Sequence, residues 1–228
     1  MALILCIETA TPVCSASLSD NGKLLALEET EGNNLHAEKL ALLIGNILEK
    51  ASRSPADLDA IAVGKGPGSY TGLRIGTSIA KGLCFGLEIP LIAIPTLQAM
   101  ALSAIIELKN ADILYCPMID ARRQEVYTAI FDNKGNEMLP VCAKILDADS
   151  FAGLLDKHSI AFFGTGMEKM KLLSNTNDIR KIWLEDIYSS AKNMVSLAED
   201  YFASGNFVTL ANYEPYYLKD FVSKKKAV

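Results

Sequence analysis

The period of the apolar positions changes several times along the chain, and each change marks an element. Leu3 to Glu8 is a short apolar run, Val13 to Leu18 alternates apolar and small polar residues, and the Asp20-Asn21-Gly22 turn signal leads to a second apolar stretch at Leu24 to Leu27. This pattern predicts a three-strand meander. After the Gly32-Asn33-Asn34 break, Leu40, Leu43, Ile44, Ile47 and Leu48 recur at helical spacing until Arg53-Ser54-Pro55 stops the helix. Ile61 to Val63 then reads as a buried strand, a glycine-rich loop follows, Gly72 to Gly86 reads as a helix and Leu91 to Ile94 as another strand. Strands interleaved with helices predict an α/β fold whose sheet is built with crossovers.

The second half opens in the same way. Ile113 to Asp120 is an apolar run ending in a carboxylate, and Glu125 to Phe131 alternates into Asp132-Asn133-Lys134-Gly135. Glu8 and Asp120 are as far apart in sequence as Asp20 and Asp132, so the register survives across the whole first hairpin and predicts an internal duplication. A helix near Asp149 to Lys157, a strand at Ile160 to Phe163, a Gly164-Thr165-Gly166 turn and a further helix follow. Ser190 to Ser204 reads as an amphipathic helix, and the Tyr213 to Tyr217 segment and Lys224-Lys225-Lys226 form the tail.

Composition narrows the function classes. With 228 residues, half of them hydrophobic, the chain can bury one large core or two modest lobes. Lys and Arg number 22 against 27 Asp and Glu, a net charge of -5, so no broad cationic surface for a phosphate backbone is expected. Five cysteines, Cys6, Cys14, Cys84, Cys116 and Cys142, lack a Cys-x-x-Cys pair and read as small core residues of a reducing compartment, the cytoplasm. His36 and His158 are the sole histidines, too few for a histidine-rich metal site, and no metal or cofactor is expected. The opening residues carry no signal-peptide pattern. Ile89 to Ile106 is uncharged, but Pro90 and Pro95 interrupt it, so a buried strand and helix are expected in place of a membrane span.

Few residues suggest chemistry. Gly64-Lys65-Gly66-Pro67-Gly68-Ser69-Tyr70-Thr71-Gly72 lies between a strand and a helix, where free N–H groups suit an anion. It matches neither a Walker A loop nor the dinucleotide spacing, and a tight turn with Ser69 or Thr71 capping the helix fits as well. The helix behind it is rich in small residues, Gly72, Gly76, Ser78, Ala80, Gly82 and Gly86, which let another helix approach closely inside the fold or across a subunit boundary. His36 has Leu40 four residues on where a zinc protease needs histidine, so it is expected as a capping or surface residue.

At Gly66-Pro67-Gly68-Ser69-Tyr70-Thr71-Gly72-Leu73-Arg74-Ile75-Gly76 the sequence resembles the TsaB (YeaZ) family, and three more segments agree in order. They are Ile7-Glu8-Thr9-Ala10-Thr11, Ile119-Asp120-Ala121-Arg122-Arg123-Gln124-Glu125-Val126-Tyr127, and Glu214-Pro215-Tyr216-Tyr217-Leu218-Lys219. The resemblance implies an actin-like ATPase (ribonuclease-H-like) fold of two duplicated βββαβαβα lobes, residues 1–108 and 109–228, with the last helix and tail packing back on the first lobe. In working members of that superfamily a strand-Asp-x-Gly-Thr/Ser turn in each lobe holds phosphate and metal. Here the turns read Glu8-Thr9-Ala10-Thr11 and Asp120-Ala121-Arg122, with alanine for each glycine, so the backbone approaches a phosphate less closely. The resemblance therefore implies a degenerate nucleotide cleft around Glu8, Thr9, Thr11, Gly66, Gly68, Asp120, Arg122, Gly164 and Gly166, with Arg122 filling or altering it.

The catalytic paralogue TsaD carries a metal-binding His-x-x-x-His where this chain has Ile94-Pro95-Thr96-Leu97-Gln98-Ala99-Met100. By resemblance this chain is a non-catalytic partner required by TsaD, with the TsaE ATPase, for threonylcarbamoyl transfer to the tRNA adenosine beside the anticodon. It would meet tRNA through that complex alone. Its first two helices would pack on TsaD through His36, Lys39, Leu40, Leu43, Ile44, Gly72, Ile75, Gly76 and Ile79, with a homodimer through the same surface when TsaD is absent. An autonomous ATPase or kinase is the competing reading, and a metallopeptidase a third.

Overall fold

The computed structural model describes residues 2–32 and 35–219, so Asn33, Asn34 and the Lys224-Lys225-Lys226 tail lie outside the described residues. Two five-stranded sheets share one topology. In the first, β1 (Leu3–Glu8), β2 (Val13–Asp20) and β3 (Lys23–Glu31) form the antiparallel meander, and β4 (Ala60–Gly66) and β5 (Leu91–Pro95) add in parallel, giving the order β3-β2-β1-β4-β5. In the second, β6 (Ile113–Asp120), β7 (Glu125–Phe131) and β8 (Glu137–Ile145) are the meander, with β9 (Ser159–Phe163) and β10 (Lys181–Leu184) parallel beyond β6. Reading the second order from β8 reproduces the first, which is the duplicated architecture of the actin-like fold.

The strands at the centre of each sheet are buried on both faces, which is why their sequences run apolar without alternation. Along β1, Leu3, Leu5 and Ile7 enter the core under α1 (His36–Lys50) and α2 (Tyr70–Leu87), while Ile4 and Cys6 enter the core on the other face. That second core is closed by Val195, Leu197 and Ala198 of α6 (Val195–Ala203), so the last helix packs on the first sheet. Between the sheets lies α3 (Thr96–Leu108), whose Leu97, Met100, Ala101 and Ala104 pack against Ile113 and Tyr115 of β6. The uncharged run from Ile89 thus divides into β5 and α3, and among the described residues no helix is long and apolar enough to cross a membrane.

Several elements differ from the sequence pattern. The helix expected over Asp149 to Lys157 is a single turn, α4 (Ala152–Leu155), because Phe151 before it adopts a left-handed φ of 70°. Ser190 to Ser204 begins as a 3-10 turn at Ala191–Met194 before α6 proper; the Ser190 hydroxyl accepts from Lys192 N at 3.2 Å and tightens that start. The edge strands β8 and β10 escaped the pattern, one because Pro140 interrupts it, tolerable on an edge, the other because it is four residues long. Cys6, Cys14, Cys84 and Cys116 are buried as expected, but Cys142 on β8 is exposed.

The last described residues form a strap over both sheets. Lys81 Nζ donates to Tyr213 O at 3.2 Å, Tyr216 N donates to Lys65 O at 2.7 Å, and the Tyr217 ring sits 4.8 Å from that of Tyr70. Lys219 then pairs with Glu125 at the start of β7.

Candidate functional site

The first cluster lies where β1 ends. Glu8 is 1% exposed, and its Oε1 accepts from its own turn, from Thr9 N and Ala10 N, both at 2.8 Å. Its Oε2 accepts from the Thr96 hydroxyl at 3.1 Å, and that hydroxyl in turn accepts from Gly66 N at 3.2 Å. Burial pushes the Glu8 carboxyl above the usual carboxylate range, and the bonds from Ala10, Thr96 and Thr9 pull against it. Thr9 and Thr11 are buried beside it, and His36 donates through Nε2 to Thr11 O at 2.9 Å.

The glycine-rich loop is committed to this turn. Ser69 N donates to Ala10 O at 2.7 Å, and Ser69 caps α2 by accepting from Gly72 N at 3.2 Å. A Cβ on Gly68 would lie 2.6 Å from that of Ala10, one on Gly72 would run into Thr9 O, and one on Gly76 would lie 3.2 Å from Thr9 Cγ2. The loop is thus a turn with a capped helix, and the Gly66, Ser69 and Gly72 amides are spent on the protein itself.

The second cluster lies at the matching end of β6. Asp120 Oδ1 accepts from Arg122 N at 2.6 Å and from Lys169 Nζ at 2.7 Å, while Asp120 N donates to the Thr165 hydroxyl at 3.1 Å. Lys169, on α5 (Met167–Leu173), also donates to Glu125 O at 3.0 Å. Gly164, with a φ of +93°, and Gly166 press against β6: a Cβ on Gly164 would sit 3.3 Å from Met118 C, and one on Gly166 3.2 Å from Ile119 C. Arg122, expected to fill the cleft, is exposed and contributes only its backbone; Lys169 meets the Asp120 charge. Among the described residues no group of three or more His, Cys, Asp or Glu side chains could hold a metal ion.

Most residues expected on the outer face of the first two helices belong inside. His36, Leu40, Leu43 and Ile44 are buried beneath α1, because the apolar face of that helix covers β2 and β3. Gly72 and Gly76 are buried against Thr9, so close approach here serves the fold. His36 is correspondingly neither a surface residue nor a side-chain cap, since the capping position is Leu35. Ile75 and Ile79 are half-buried and Lys39 is exposed. What the two helices leave uncovered is Leu42, 59% exposed, Phe85, 81% exposed, and Gly45, Gly82 and Gly86, where an added Cβ meets nothing within 4 Å.

Sequence reasoning placed Gly64 in the glycine-rich loop without its role beside Glu8, and missed the roles of Thr96 and Lys169. Thr96 meets Glu8 across 88 positions and Lys169 meets Asp120 across 49, pairings that only the sheet topology makes.

Residues 30–212 match the family model of TsaD, the tRNA N6-adenosine threonylcarbamoyltransferase. The chain is 33% identical over 229 residues to the tRNA threonylcarbamoyladenosine biosynthesis protein TsaB of Escherichia coli K12, covering 98% of this chain and 97% of the relative. Its structure is similar to that of YeaZ from Pseudomonas aeruginosa, with a TM-score of 0.78 at 27% identity, covering 96% of this chain and all of the other. A more distant likeness, TM-score 0.53 at 9% identity over 90% of this chain and 96% of the other, links the fold to the activator of the 2-hydroxyisocaproyl-CoA dehydratase from Clostridium difficile.

Proposed function

The chain belongs to the TsaB family, and from that premise we propose that it serves tRNA threonylcarbamoyladenosine biosynthesis in the cytoplasm as a non-catalytic partner of TsaD. The observation that carries this reading is that the carboxyl group of each cleft turn is engaged by the chain's own groups. Glu8 occupies the amides at the end of β1, and Lys169 sits on Asp120 at the end of β6. A carboxylate already paired with an ammonium is a poor metal ligand, and filled amides have no donor left for phosphate. The chain acts through a surface, with the TsaE ATPase joining the pair and tRNA reached through the complex.

Docking on TsaD uses the outer face of α1 and α2, through Lys39, Leu42 and Gly45 on one helix and Gly82, Phe85 and Gly86 on the other, flanked by Ile75 and Ile79. Exposed Leu and Phe beside bare glycines let a partner helix pack close. Without TsaD the same face pairs two copies of the chain. Reconstituted tRNA modification with and without this chain tests the role, and full activity in its absence rejects it. Copurification of a Phe85→Glu, Leu42→Glu variant with TsaD tests the face; undiminished capture moves the interface elsewhere. Calorimetric titration with Mg-ATP separates this reading from an autonomous ATPase or kinase, which requires binding and turnover by the chain alone.

A further inference from the structure

Two successive backbone N–H groups, of Thr9 and Ala10, converge on one point at 2.8 Å each. Neighbouring amides aimed at one spot make a concavity that selects anions. Here the spot is occupied by Glu8 Oε1, and the two Glu8 oxygens accept from Thr9 N, Ala10 N and the Thr96 hydroxyl. Space for the group is specific, since a Cβ on Gly64 would lie 2.6 Å from Oε1 and 2.7 Å from Cδ of Glu8. The turn is held from outside as well. Ser69 N fixes Ala10 O, and Gly72 and Gly76 pack on Thr9, so the amides keep their direction independently of the Glu8 side chain.

We propose that the Glu8 carboxylate is a built-in anion filling an oxyanion nest at the end of β1. The native chain is thereby closed to external oxyanions, and a chain lacking this side chain takes a small carboxylate or a phosphate in its place. A merely space-filling role does not fit, because an apolar side chain of the same shape would leave both amides unpaired in a dry site, which the fold does not tolerate cheaply. The nest belongs to this chain alone, and its test involves no partner.

Thermal unfolding of the native chain, Glu8→Ala and Glu8→Gln is compared in chloride, formate and inorganic phosphate at equal ionic strength. Formate or phosphate is expected to raise the midpoint of Glu8→Ala toward the native one, while the native chain and Glu8→Gln, whose amide oxygen still fills the nest, respond no more than to chloride. The formate and phosphate arms distinguish which oxyanion fits. A folded Glu8→Ala chain indifferent to both, or a native chain stabilised by either as strongly as the variant, overturns the proposal. Should Glu8→Ala fail to fold in all three salts, the Thr9 and Ala10 amide proton resonances of Glu8→Gln decide. They are expected upfield of their native positions at a pH above the titration of Glu8, because a charge-assisted bond has been lost; unmoved resonances overturn the proposal.

Discussion

Gly64 on β4 and Glu8 on β1 fit together because the glycine has no side chain: a Cβ there would lie 2.6 Å from Glu8 Oε1. Gly64→Ala forces the carboxyl off its donors or β4 off β1. It is expected to lower stability by about 1–3 kcal/mol, the usual cost of overpacking a core, read from the denaturant midpoint. Gly86→Ala, at a helical position where a Cβ meets nothing within 4 Å, is expected to be neutral or to stabilise by up to about 1 kcal/mol through helix propensity. Equal effects from the two substitutions would contradict this packing.

Stability should carry a signature of Glu8. Burial above all holds its carboxyl above the usual carboxylate range. A raised acid favours the protonated folded state, so its contribution is complete below the unfolded pKa and is lost as pH rises through the folded one. Relative to Glu8→Gln, the native chain is therefore expected to lose unfolding free energy as pH rises from below about 4.3, the unfolded carboxyl's range, through the raised titration of Glu8. Denaturant titrations of both chains across that range check it, and a difference that grows in the other direction would contradict it.

Lys169→Met should act locally on the second turn. It removes the 2.7 Å contact to Asp120 and the 3.0 Å bond to Glu125 O, at a cost of about 1 kcal/mol, since Asp120 is partly exposed and water screens the pair. A double-mutant cycle with Asp120→Asn measures the coupling, expected to shrink at high salt.

Thiol labelling should separate Cys142 from the other cysteines. Burial pushes the Cys6, Cys84 and Cys116 thiols up to about 12 and Cys14 to about 11, and all four are buried. An alkylating reagent at mildly alkaline pH is expected to add one group to the native chain, at Cys142, and to reach the others after denaturation, as intact mass shows.

Much of this architecture was legible in the sequence where local pattern and fold agree. The meander, the matching hairpin at Asp120 and the strand-loop-helix around Gly66 all announce themselves through turn residues and periodicity. What stayed hidden depends on which face a residue takes once the chain is closed. Leu40, Leu43 and Ile44 have the same spacing whether they cover β2 and β3 or a partner, and the small residues of α2 divide between Thr9 and open solvent by position alone. Thr96 and Lys169 carry no local mark, because the carboxylates they meet arrive from distant strands.

The strap from Tyr213 to Lys219 bears on motion. A single length of chain is anchored by its backbone at Lys65 on the first sheet and by the Lys219 side chain at Glu125 on the second. Any rotation of one sheet against the other would have to break one of those anchorages, each worth about 1 kcal/mol or less, so the strap adds a small cost to separating the sheets and spares a docking partner that part of the ordering cost.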